Sequence, residues 1–109
     1  MATLTVQNIS RAAITPSYAS CAGGGDQFVN DGRTMLHIKN GHTSSQTVTV
    51  ATQITVDGKA VADDAIAVTN AEERMIGPFP PHIYNDVNGM VQLTYSGVTS
   101  LTIGIFRLP

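Results

Sequence analysis

The sequence predicts an all-β fold, a single-domain antiparallel β-sandwich or jelly-roll-like barrel of about eight strands. Three observations predict it. Four Asx-Gly pairs (Asp31-Gly32, Asn40-Gly41, Asp57-Gly58 and Asn88-Gly89) punctuate the chain, and such pairs tolerate the positive φ angles of tight turns. The segments beside them alternate apolar and polar residues with the period of two that marks a half-buried strand. Helical periodicity is missing: in the best window, 61–71, Ile66 and Val68 are spaced by two, not by three or four.

Taken in order, residues 1–25 read as an irregular N-terminal arm and 26–109 as the sandwich domain. Within the arm, Thr3–Val6 alternates briefly. Ala12–Thr15 is a second short strand candidate, stopped by Pro16. Gly23-Gly24-Gly25 is a flexible junction or a loop, because three consecutive glycines lose much entropy when ordered. It has neither the preceding strand nor the following Lys-Ser/Thr pair of a phosphate-binding loop.

From residue 26 the pattern sharpens. Gln27–Asn30 runs into Asp31-Gly32 and returns as Arg33–Lys39, with Leu36 and Ile38 on one face and Met35, His37 and Lys39 on the other. Gln46–Thr52 alternates cleanly, with Val48 and Val50 inward. Ile54–Val56 precedes the Asp57-Gly58 turn, Ala65–Thr69 is another strand, and Arg74–Ile76 is a short one. The block Gly77-Pro78-Phe79-Pro80-Pro81 is an edge or a loop, since its prolines lack the ladder N–H. Ile83–Asn85 follows. Met90–Ser96 puts Val91, Leu93 and Tyr95 on one face, and Leu101–Phe106 points Leu101, Ile103 and Ile105 inward.

Composition narrows the function classes. The 109 residues are 42% hydrophobic and only 13% charged, about half the usual ~25%. The polar surface is therefore built from Thr, Ser, Asn and Gln, which cost less to desolvate than charges. Net charge is −2, and the six Lys and Arg residues are scattered, so the basic stripe that nucleic acid requires is missing. The N-terminus has no basic region followed by an apolar run, and no segment is long and apolar enough for a membrane span. Synthesis in a cytoplasm is the expectation, with the protein staying there or leaving in some assembled form. Cys21 is the only cysteine and reads as a small, partly buried hydrophobe.

Candidate chemistry is sparse. His37, His42 and His82 lack the paired spacing of zinc ligands. Asp57, Asp63 and Asp64 lack the ligand density of a calcium loop. Glu72 and Glu73 are adjacent, so they do not face one another across a cleft. No metal, cofactor or catalytic group is expected, and the chain does not read as an enzyme. Tyr18, Phe79 and Tyr84 are candidate contact aromatics. Phe79, held by prolines, is either a contact anchor or a plug from loop to core. With Leu4, Val6 and Ile14 of the arm, these three make the expected partner-contact set.

Several runs resemble one group of proteins. They are Asp31-Gly32-Arg33-Thr34-Met35-Leu36-His37-Ile38-Lys39-Asn40-Gly41, Thr47–Val50, Val56–Gly58, Glu73–Pro80, Ile83–Asn85 and Val91–Ser96. Together these are similar to small structural proteins encoded by tailed bacteriophages, most of all to head decoration (cement) proteins. The resemblance covers roughly residues 26–106. It implies a non-catalytic virion component on the outer surface of the capsid. Its implied partners are the major capsid protein and further copies of itself, a trimer included. A tail or head–tail junction subunit is the alternative within that group. A carbohydrate-binding sandwich using Tyr18, Phe79 and Tyr84 is the alternative outside it.

Overall fold

The computed structural model describes residues 2–109. Its elements in order are β1 (Ala2–Thr3), β2 (Val6–Asn8), β3 (Ala19–Ser20), β4 (Asp26–Val29), β5 (Thr34–Asn40), β6 (Gln46–Val50), β7 (Thr55–Val56), β8 (Lys59–Ala60), β9 (Asp64–Val68), β10 (Glu73–Ile76), α1 (Pro81–Tyr84), β11 (Met90–Tyr95) and β12 (Leu101–Arg107). Two sheets face one another. Sheet A runs β1-β4-β11-β6-β9. Sheet B runs β10-β5-β12-β2, with β3 also on β12. The molecule is a plate of 40 × 37 × 20 Å.

Side-chain alternation builds the core. β5 buries Thr34, Leu36, Ile38 and Asn40 and turns Met35, His37 and Lys39 outward. It pairs with β12 along its whole length, from Leu101 opposite Asn40 to Arg107 opposite Thr34. β6 buries Val48 and Val50, and β11 buries Val91 and Leu93. These, with Phe28, Val68, Leu101, Ile103 and Ile105, form one hydrophobic cluster. Burying each such side chain contributes roughly 1.5–3 kcal/mol. The expected all-β sandwich is the observed architecture, and the inward faces read from the alternation are the buried ones.

Three features differ from the sequence reading. First, only Asp57-Gly58 closes a hairpin, joining β7 to β8 with φ of 53° and 76°. Asp31-Gly32 and Asn40-Gly41 carry the chain between sheets instead, from β4 in sheet A to β5 in sheet B and back to β6. The buried Asn30 holds the first of these turns. Its side chain accepts from Gly32 N and Thr34 Oγ1 and donates to Phe79 O and Asn85 Oδ1.

Second, residues 2–25 are not a separate arm. β1 pairs parallel with β4, and β2 pairs parallel with β12. β3 pairs antiparallel with β12, just beyond the stretch that β2 covers. These strands are two or three residues long, too short for alternation to be seen. Ala12–Thr15 is not a strand; a turn with Ala13 N donating to Ser10 O occupies its start.

Third, the proline block leads into a single helical turn, α1, with Pro81 as its first residue, a position where the missing N–H costs nothing. The Gly77–Pro78 peptide is cis.

Candidate functional site: the outer face of sheet B

The expected contact residues fall into separate groups. Leu4 and Val6 are half-buried and pack against the core. Phe79 is 3% exposed, which corrects its place in the contact set: it is the plug. Its ring lies 5.7 Å from Phe28 and 5.5 Å from Tyr84, edge-on to the latter. The Tyr84 hydroxyl donates to Asp64, and this bond pushes the Tyr84 hydroxyl pKa up to about 12. Tyr18 packs elsewhere, 5.4 Å from His37 and 6.0 Å from Phe106. The three aromatics therefore do not make one stacking platform, and the carbohydrate reading loses the geometry it rested on.

What Tyr18 and Ile14 do share is the outer face of sheet B. There β5 contributes Met35, His37 and Lys39. In register beside them stand Met75 and Glu73 of β10, and Phe106 and Gly104 of β12. Residues 9–18 cross this face as a strap. Gly104 makes the crossing possible: a Cβ at that position would lie 3.0 Å from Ser17 O and from the Tyr18 ring.

Polar bonds fasten the strap. Gln7 bonds twice to the Ser17 backbone, at 2.8 and 2.9 Å. The Tyr18 hydroxyl lies 2.8 Å from His37 Nδ1, and His37 Nε2 lies 2.6 Å from Glu73 Oε1. In a neutral imidazole, Nε2–H donates to Glu73 while Nδ1 accepts from Tyr18. Lys39 Nζ sits 3.9 Å from the centre of the Tyr18 ring, in cation–π contact. This chain of groups orients Tyr18 and thereby pins residues 9–18 to β5.

Two apolar grooves lie on this face and share Met35 and Met75, and the strap walls the first of them. One, of about 370 Å³, is bounded by Ile9, Ile14, Tyr18 and Phe106. The other, of about 380 Å³, runs between Arg33, Pro78 and Leu108. Met75 is 67% exposed and Leu108 47%. At its rim Asp31 pairs with Arg33 at 3.0 Å and Arg107 at 3.4 Å. The hydrogen bonds from Arg33 hold the Asp31 carboxyl below the usual range.

Sequence reasoning placed Met35, His37 and Lys39 on one strand face but did not mark that face as a contact surface. The available signal was the pair Met35 and Met75 on solvent-facing positions of two strands. Their adjacency depends on long-range register.

Elsewhere, Cys21 is buried beside Tyr95 and Asp26, and burial pushes its thiol up to about 12. Burial and its bond to Asp26 raise the Tyr95 hydroxyl as well. Asp26 is fully buried. Its Oδ2 accepts from Tyr95 at 2.7 Å and from Ala22 N at 3.2 Å, tying the residues after β3 to β11. Among the described residues, no three His, Cys, Asp or Glu side chains converge as metal ligands, and no helix is long and apolar enough to cross a membrane.

No family model matches the chain, and no curated protein or solved structure matches it either.

Proposed function

We propose that this chain is an adhesive virion subunit, a decoration protein that lies on the outer surface of a phage head and stabilises the shell without catalysis. The observation that carries this reading is the apolar part of the outer face of sheet B that residues 9–18 leave uncovered, around Met75 and Leu108, on a plate 20 Å thick. The grooves around Met35 and Met75 leave large hydrophobic side chains in water, and such patches mark sites of association. A thin, sparsely charged sandwich presents that face broadly to an underlying shell. Many modest contacts to repeated shell subunits then add through effective concentration. The resemblance of residues 26–106 to phage structural proteins supplies the partner, the major capsid protein.

Quantitative mass spectrometry of purified virions tests the reading, together with immunogold labelling. The expected result is hundreds of copies per particle with label over the head. Absence from the particle, or label confined to the tail, overturns it. Met75→Asp should abolish rebinding to particles stripped of the protein. Its melting temperature should stay close to the parent's, since an exposed substitution shifts stability by only about 0.5 kcal/mol.

A further inference from the structure

The edges of the two sheets are not alike. β10 carries Glu73 and Arg74, and β1, β2 and β3 are two or three residues long. Charge and shortness both discourage pairing with another chain. β9 has neither protection along most of its length. It is five residues long, and no charge follows Asp64 until Glu72. Ala65 and Ala67 are exposed and have the smallest side chains an edge can offer short of glycine.

The direction of its free backbone groups follows from its neighbours. Ser96 N donates to Thr47 O, and Ala51 N donates to Gln92 O. Odd-numbered residues of β6 thus face β11, and Gln46, Val48 and Val50 face β9. Their register partners are Val68, Ile66 and Asp64. In an antiparallel ladder, successive residues bond to opposite sides. The N–H and C=O groups of Ala65 and Ala67 therefore point outward, and among the described residues no hydrogen bond to them is formed on that side.

We propose that the outward edge of β9 pairs antiparallel with β9 of a second copy, about a two-fold axis at Ile66, so that sheet A continues from one molecule into the next. This register alone places the outward Ala65 opposite the outward Ala67 of the second copy at both ends, giving four backbone hydrogen bonds. Ile66 then meets its equivalent in a close, non-hydrogen-bonded pair. Asp64 falls opposite Val68, so no charge meets its like. A shift of the axis by one residue along β9 centres it on Ala65 or Ala67 and leaves only one residue per copy with a partner inside the strand. The pairing is a property of the isolated chain and stands apart from the virion reading; either can fail without the other.

Sedimentation velocity of the purified protein over a range of concentrations tests this. A species of about 23 kDa is expected, twice the 11.5 kDa chain. Ala67→Pro removes an outward N–H and no bond within the sheet, and should weaken dimerisation about tenfold or more. The double substitution Ala65→Lys/Ala67→Lys sets like charges opposite one another and should leave only monomer with an unchanged far-ultraviolet spectrum; it decides the matter if the proline variant does not fold.

Register is tested by cross-linking. Ile66→Cys should form a disulfide-linked dimer on mild oxidation, because a non-hydrogen-bonded pair separates Cα atoms by about 4.5 Å. Ala65→Cys should not, its equivalents being diagonal and roughly 7–8 Å apart. A monomer at every concentration, a dimer indifferent to both edge variants, or preferential cross-linking through Ala65→Cys overturns the proposal.

Discussion

The outer faces of the two sheets are made by the same pleat and differ in chemistry at their centres. On sheet A, the middle of the outer face is polar: Thr47 and Thr49 of β6, Gln92 and Thr94 of β11, and Gln27 of β4, with Thr94 opposite Thr49 and Gln92 opposite Gln27, while Val29 opposite Met90 and the two alanines of β9 lie at its margins. The two glutamines bond to each other and to neighbouring side chains. Gln92 donates to Gln27 Oε1 at 2.9 Å and to Asp86 Oδ2 at 2.7 Å, and Gln27 donates to Thr3 Oγ1 at 2.9 Å. On sheet B, Met35, Met75 and Phe106 occupy equivalent positions, and a strap must cross them before part of their surface leaves water. Alternation decides which residues face out. It does not decide whether that outside is meant for solvent.

Three substitutions break or sharpen this contrast. The largest effect is expected from Gly104→Ala. Its Cβ would meet backbone at 3.0 Å, so either the strap lifts or β12 distorts, at about 1–3 kcal/mol. Thermal melting measures the loss, and Gly23→Ala, with open space around it, is the control. Unchanged stability in Gly104→Ala would mean that the strap is not held against sheet B.

Tyr18→Phe comes next. It keeps the ring and deletes the bond to His37, at about 0.5–1.5 kcal/mol. Hydrogen exchange should show faster opening of residues 9–18 with the sheets themselves protected.

The smallest effect concerns sheet A and pH. Asp86 accepts from the backbone N–H of Met90, from Gln92 and from Asn88 N, and the first of these does most to lower its pKa below 3.8. A lowered folded-state pKa stabilises above the unfolded value and loses that contribution as pH falls through the folded value. The melting temperature should therefore decline below about pH 4, and less steeply in Asp86→Asn. An equal decline in both proteins would remove Asp86 from the acid limb.

Much of this structure is legible in the sequence, and the limits have physical causes. The interior of β5, β6 and β11 follows from residue parity, because those strands are five to seven residues long and have one buried face, and in β12 parity gives Leu101, Ile103 and Ile105 but not Gly104 and Phe106, which the strap buries from the other side. Tyr95 shares the parity of Val91 and Leu93 but is only half-buried, its hydroxyl reaching Asp26. Phe79 has no periodic neighbours, and only the rings of Phe28 and Tyr84 reveal it as core. An Asx-Gly pair signals a change of direction, whereas its destination sheet depends on which distant strands pair. The candidate site is the least legible part. Met35 and Met75 are forty residues apart in sequence, and their adjacency comes from the β5–β10 register.

The position of β12 bears on how the molecule is made. It lies between β5 on one side and β2 and β3 on the other, and it is the last of these elements to be synthesised. Until it emerges, β5 has only β10 beside it and β2 has no strand to join. Sheet B therefore closes after translation of the segment is complete, and the nascent chain must keep an exposed seam of Leu36 and Ile38 from sticking to its neighbours for that whole interval.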